Sequence, residues 1–207
     1  MARPRTFDED AILDRAMLLF WRKGYEATAM SDLVEELGLG RGSIYAAFGD
    51  KHQLFVRALS RYLGHQDALL ATAFDADGPA LAQLRDVLDR LLAADAACGN
   101  AGCFSVNSIA ELLPHDGEVA RLAQRSLRVA EEAFARQLER AAQEGELSAT
   151  ITPEAGARLL LTLVQGIQIV RKVDPDPART AAGLDSAFAL LSGDASKQPA
   201  ALAPAPA

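Results

Sequence analysis

The sequence predicts an all-α protein: an N-terminal three-helix helix-turn-helix domain followed by a larger helical bundle. Three observations support this. Half of the 207 residues are apolar but only 6% are aromatic, and Ala and Leu dominate, a balance suited to packed helices. Apolar residues recur at three- and four-residue spacing in successive segments, and no segment alternates convincingly as a strand would. Those segments are separated by breaks at Gly24, Gly38–Gly40, Gly49-Asp50, Asp75–Pro79, Gly99–Gly102, Pro114–Gly117, Gly145 and Asp174–Pro177.

The first segment, Phe7–Lys23, sets Ile12, Leu13, Ala16, Leu19 and Phe20 on one helical face, with Thr6 and Glu9 as a capping box. A short helix follows over Met30–Leu37, with Thr28 at its entrance as a hydroxyl cap. After the Gly38–Gly40 break a third short helix covers Arg41–Phe48. Asp50 and Gln53 then open a longer helix through Phe74. Further helices are expected over Pro79–Ala97, from Gly102 to Leu113, over Glu118–Glu144, over Glu154–Val173 behind a Thr152-Pro153 cap, and over Ala178–Leu191. The Ala/Pro-rich stretch beyond is expected to be disordered. Residues 1–62 therefore form the expected DNA-binding domain, 63–193 a sensor and dimerisation domain, and 194–207 a tail.

Composition narrows the function. No run of about 18 apolar residues and no signal peptide is present, so a soluble cytoplasmic protein with no membrane partner is expected. Cys98 and Cys103 are too few for a disulfide scaffold, and no His/Cys cluster suits a metal, so no cofactor is expected. His52, His65 and His115 are scattered, with no Ser/His/Asp spacing and no phosphate loop, which argues against an enzyme. The net charge of −7 disfavours nucleic acid when taken whole. Yet residues 1–62 carry nine basic and nine acidic side chains, and 63–207 carry twelve and nineteen, so the deficit lies in the second part. A neutral head can still present a local basic face to phosphates.

Two short helices joined by a Gly-containing turn and braced by longer ones form the helix-turn-helix plan. A recognition helix needs small, polar or basic side chains at its N-terminal end. Arg41, Gly42 and Ser43 supply a guanidinium, room for close approach and a hydroxyl. Tyr45 and Lys51 are candidate phosphate holders, and Arg3 and Arg5 form a short basic arm. The same pattern also fits plain core aromatics and solvated surface charges.

The exact residues go further. Phe20-Trp-Arg-Lys-Gly-Tyr-Glu-Ala-Thr, followed by Leu39-Gly-Arg-Gly-Ser-Ile-Tyr-Ala-Ala-Phe-Gly-Asp-Lys, closely resembles the DNA-binding domain of TetR-family repressors. The resemblance covers about residues 7–60. It implies backbone contacts to DNA from Thr28, Ser43, Tyr45 and Lys51, with Arg41–Ala47 as the recognition helix. Ala46 and Ala47 depart from the larger residues many members carry there. That departure implies sparse base reading, limited to apolar contact with thymine methyls, with more left to DNA shape.

Beyond residue 63 the resemblance is weaker. Gly102-Cys-Phe-Ser-Val-Asn-Ser-Ile-Ala-Glu-Leu is similar to a signature of the NemR-type subgroup, in which a cysteine at this helix start senses electrophiles or oxidants. A thiol in a helix's first turn has its pKa lowered by the dipole, and Cys98 could resolve it. The alternative is a buried structural thiol beside an ordinary ligand pocket, lined by Leu70, Phe74, Leu88, Leu92, Phe104, Asn107, Ile109 and Phe134. The family resemblance also implies a homodimer built on long helices. Leu122, Ser126, Val129, Phe134 and Leu138, then Leu159, Leu163, Gly166, Ile167 and Val170, form stripes suited to such an interface. The expected partners are thus a double-stranded DNA operator, a second copy of the chain and a small-molecule inducer. The rival reading is a helical protein-interaction module without DNA binding.

Overall fold

The computed structural model describes residues 7–75, 77–96 and 102–193. Among these are nine helices and no strand: α1 (Glu9–Lys23), α2 (Met30–Leu37), α3 (Arg41–Phe48), α4 (Lys51–Thr72), α5 (Ala80–Ala96), α6 (Phe104–Leu112), α7 (Gly117–Gln143), α8 (Pro153–Val170) and α9 (Pro177–Ser192). None of the described helices is long and apolar enough to cross a membrane.

Most helix starts have a local cause. Asp8, rather than the expected Thr6–Glu9 box, caps α1: its carboxylate accepts from the N–H groups of Asp10 and Ala11 at 3.0 and 3.3 Å. Thr6 lies outside the described residues. The cap expected from Thr28 on α2 is also replaced. Thr28 is fully buried and its hydroxyl donates backwards to the Gly24 carbonyl at 2.5 Å. Asp32 instead reaches back to the N–H of Ala29 at 2.8 Å. The Lys23 ammonium, then the Ala29 N–H, hold the Asp32 carboxyl below its ordinary range. Asp50 starts α4 by accepting from Gln53 N–H at 2.7 Å, but the Gln53 side chain turns to Glu118 instead of closing the box. Thr152 with Pro153 and Asp176 with Pro177 start α8 and α9. Two ends come early: α4 stops at Thr72 and α8 at Val170.

The chain divides into two compact units. The first joins residues up to Leu69 to Asp95–Leu127, and the second joins Leu70–Ala94 to residues from Arg128 onward. In the first, Ala16, Phe20, Leu33, Ile44, Leu54, Phe55 and Leu59 form a water-free centre. Each large apolar side chain among them contributes roughly 1.5–3 kcal/mol by leaving water. Phe104 of α6 belongs to this core, edge-on to Phe55 and Tyr62 at 5.7 Å and stacked on Trp21 at 6.1 Å. Arg61 of α4 clamps Asp14 of α1 with two bonds, at 2.5 and 3.0 Å. The second unit packs Leu84, Val87, Leu88, Phe134, Leu138, Leu160 and Leu184.

Candidate nucleic-acid interface

Helix α3 is only eight residues long, so its two faces are sharply divided. Ile44 and Phe48 are buried in the first core and fix the helix in place. Arg41, Gly42, Ser43, Tyr45 and Ala46 all face outward. Tyr45 is 40% exposed, a large ring left half in water. The Arg41 guanidinium lies 5.7 Å above that ring and donates to its hydroxyl at 3.4 Å, so the two side chains form one cationic and aromatic ridge. A Cβ placed on Gly42 would meet nothing within 4 Å, so the fold itself does not require glycine there. Ala47 is half-buried, leaving Ala46 as the outward member of the alanine pair.

Lys51, at the first turn of α4, is held from the side of the α1–α2 turn. Its ammonium donates to the carbonyls of Tyr25 and Thr28 at 2.8 and 3.0 Å and sits 4.2 Å over the Tyr25 ring. Two of its three N–H groups are thereby used. Thr28 has no outward hydroxyl to offer; its contribution in this structure is the carbonyl that positions Lys51.

The turn is braced by α6, and the flanking α1 and α4 by the residues before α6 and α7, a role the sequence did not reveal. The Glu111 carboxylate accepts from the N–H groups of Tyr25 and Glu26 at 3.0 and 2.8 Å. Trp21 donates its indole N–H to the Gly102 carbonyl at 2.7 Å. His52 meets Asp116 at 2.6 Å, and Asp116 also accepts from the N–H groups of Glu118 and Val119 to cap α7. Burial of Asp116 acts to raise its carboxyl pKa; the Val119 N–H, His52 and the Glu118 N–H outweigh it and hold the carboxyl low.

The expected sensor residues fall in different places. Cys103 is the N-cap residue of α6, half-buried against the first core, with its Sγ 3.3 Å from the Tyr62 hydroxyl. Phe104 is in the first core, whereas Phe134, Leu92 and the half-buried Phe74 belong to the second. Asn107 is half-buried on α6. Of the expected dimer residues, Leu122 packs on the first core, Ser126 donates to Asp67 at 3.5 Å and Val129 is half-buried. Those on α8 behave differently. Leu159 and Val170 are 44% and 45% exposed and Gly166 is exposed, whereas Ile167 is buried in the second core. Leu163, Gly166, Ile167 and Val170 line a mostly apolar groove of about 410 Å³ that Gly183 of α9 completes. A Cβ on Gly166 or Gly183 would again touch nothing. Arg3, Arg5, Cys98 and the tail 194–207 lie outside the described residues.

This arrangement has close counterparts. A family model described as bacterial regulatory proteins, tetR family, matches residues 12–58, and one described as tetracyclin repressor-like, C-terminal domain, matches residues 80–186. The chain belongs to the TetR family of helix-turn-helix transcriptional regulators. The uncharacterized regulator YezE of Bacillus subtilis is 34% identical over 194 residues, 92% of this chain and 100% of its own length. The transcriptional repressor ComR of Escherichia coli is 31% identical over 172 residues, 81% of this chain and 80% of its own. Among solved structures, a cysteine-substituted CifR complexed with 26-bp double-strand operator DNA is 27% identical. It has a TM-score of 0.79, with 92% of this chain and 100% of that one covered. A TetR-family regulator from Agrobacterium tumefaciens shares the fold, with a TM-score of 0.80 at 23% identity over 88% of this chain and 96% of its own.

Proposed function

We propose that this protein is a transcriptional repressor that binds an inverted-repeat operator as a homodimer and releases it on a chemical signal. The observation that carries the proposal is α3: an eight-residue helix whose inner face is locked by Ile44 and Phe48 and whose outer face offers Arg41, Gly42, Ser43, Tyr45 and Ala46. Laid in the major groove, this face brings a bare helix backbone at Gly42 close to the bases. Arg41 and Tyr45 then serve the phosphates or a guanine edge, and Lys51 a flanking phosphate. The operator-bound CifR and the repressor ComR support the reading. Arg3 and Arg5 are proposed to extend it along the backbone.

The second copy is proposed to seat on the α8–α9 groove. Leu163, Gly166, Ile167 and Val170 supply its apolar floor, the exposed Leu159 extends the apolar surface of α8, and two glycines permit close helix approach. A symmetric dimer presents two copies of α3 to half-sites about 34 Å apart. The signal lowers the population of the DNA-competent dimer. A small-molecule inducer is one source of it. An oxidant that converts the Cys103 thiol to a sulfenic acid is the other, since that sulfur stands at the start of α6 beside the Tyr62 hydroxyl; Cys98 as the resolving thiol then forms the disulfide and expels water.

Selection of bound duplexes from random-sequence DNA tests the proposal. Enrichment of a palindromic sequence is expected. A protein that enriches no sequence is the helical interaction module instead.

A further inference from the structure

We propose that Glu111, the acidic end of the Gly-Cys motif, is a positioning residue for DNA binding: its carboxylate holds the α1–α2 turn from which Lys51 is set. The inference rests on the DNA-reading role of α3 and Lys51. Both oxygens of Glu111 are engaged by consecutive backbone amides, Oε2 by Tyr25 N–H at 3.0 Å and Oε1 by Glu26 N–H at 2.8 Å. Charge-assisted bonds of this kind are the strong ones among hydrogen bonds. The same turn presents the Tyr25 and Thr28 carbonyls that grip the Lys51 ammonium.

Two motifs far apart in the chain explain each other through this contact. Gly24 has φ +84, and a Cβ on it would stand 3.1 Å from both Glu111 oxygens. The glycine of the N-terminal Gly-Tyr pair thus both turns the chain and clears room for the carboxylate. At the other end of the Gly-Cys motif, the Gly102 carbonyl takes the Trp21 indole N–H at 2.7 Å. Between them Phe104 stacks with Trp21. The segment from Gly102 to Leu112 therefore docks along α1 and the turn after it, and Glu111 is the residue of that segment that accepts from the turn's N–H groups.

Charge and position make opposite predictions, which gives the test its force. Removing one negative charge should, by long-range electrostatics alone, tighten binding to DNA. Loss of the positioning carboxylate should weaken it. Glu111→Gln is titrated against a duplex selected by the wild-type protein, with fluorescence anisotropy as the readout. Weakening of roughly tenfold or more is expected. In a Lys51→Ala background the same substitution should change affinity by no more than about twofold, because both act through one contact. Hydrogen exchange should show the Tyr25 and Glu26 amides losing protection while α1 and α2 keep theirs. Glu111→Asp, which keeps the charge but shortens the reach, should weaken binding likewise and serves if Glu111→Gln fails to fold. Unchanged or tighter binding overturns the proposal, as does a loss that is fully additive with Lys51→Ala. If the wild-type protein selects no duplex, the DNA-reading role itself falls.

Discussion

At Gly42 the demands of the fold and of binding separate. A methyl group there meets nothing, and Ala is favoured over Gly within a helix by roughly 1 kcal/mol. Gly42→Ala should therefore raise stability slightly in a denaturant titration while weakening operator binding, because the added Cβ lies on the face proposed to approach the bases. A variant that binds as well as wild type would place the bases elsewhere. Asp116 gives a residue-scale pH prediction. Its carboxyl is held low, so it contributes stability that is present above the ordinary carboxyl value of about 3.9 and lost as pH falls through the lower folded value. Asp116→Asn should thus flatten the acid limb of a plot of Tm against pH. An unchanged acid limb would show that His52 and the α7 N–H groups do not stabilise the ionised form.

Whole helices make larger wagers. Phe104 is 2% exposed and touches Trp21, Phe55 and Tyr62. Phe104→Ala should cost about 3–5 kcal/mol, read from urea unfolding followed by tryptophan fluorescence. A much smaller loss would mean that α6 is only loosely docked. On α8, a Cβ on Gly166 meets nothing within the protomer, and Gly166→Phe puts a ring into the proposed partner surface. Sedimentation should show a folded monomer; a persistent dimer would move the interface off this groove.

The elements also show what periodicity can and cannot tell. The apolar rhythm and the Gly and Pro breaks located all nine described helices, because local spacing dictates which residues can share a helical face. Helix starts were less legible. Asp8 takes the Asp10 and Ala11 N–H groups and Asp32 the Ala29 N–H, while the Thr28 hydroxyl turns back to the Gly24 carbonyl, and spacing alone does not tell these local choices apart. A stripe also says that a residue is inward without saying into which core. Phe104 and Phe134 read alike in sequence yet lie in different cores, and Leu122 serves the first. Gly42, Ser43 and Tyr45 of the outward face of α3 were legible because they stand at positions of the family motif, whereas Arg41 and Ala46 follow only from their place on the same helix. Glu111, Asp116 and Trp21 were not assigned, since their partners lie 64 to 86 residues away in the chain.

At the scale of the whole molecule, an acidic chain must bind an acidic polymer, and the uneven charge distribution reconciles the two. The excess of seven negative charges lies beyond residue 62. Binding should weaken steeply with salt, since each neutralised phosphate releases counterions. In anisotropy titrations over a salt series, Lys51→Ala should reduce the slope of log K against log salt by about 1 for each phosphate that the lysine holds. A slope unchanged by that substitution would remove Lys51 from the phosphates.

The reading surface on α3 is tested most directly by one comparison. The double variant Arg41→Ala, Tyr45→Ala replaces only outward side chains, so its unfolding curve should match wild type to within about 0.5 kcal/mol, with the dimer intact. Titrated against the selected duplex, it should bind at least about tenfold more weakly. Equal affinity in a folded dimer would contradict the assignment of α3 as the helix that reads DNA.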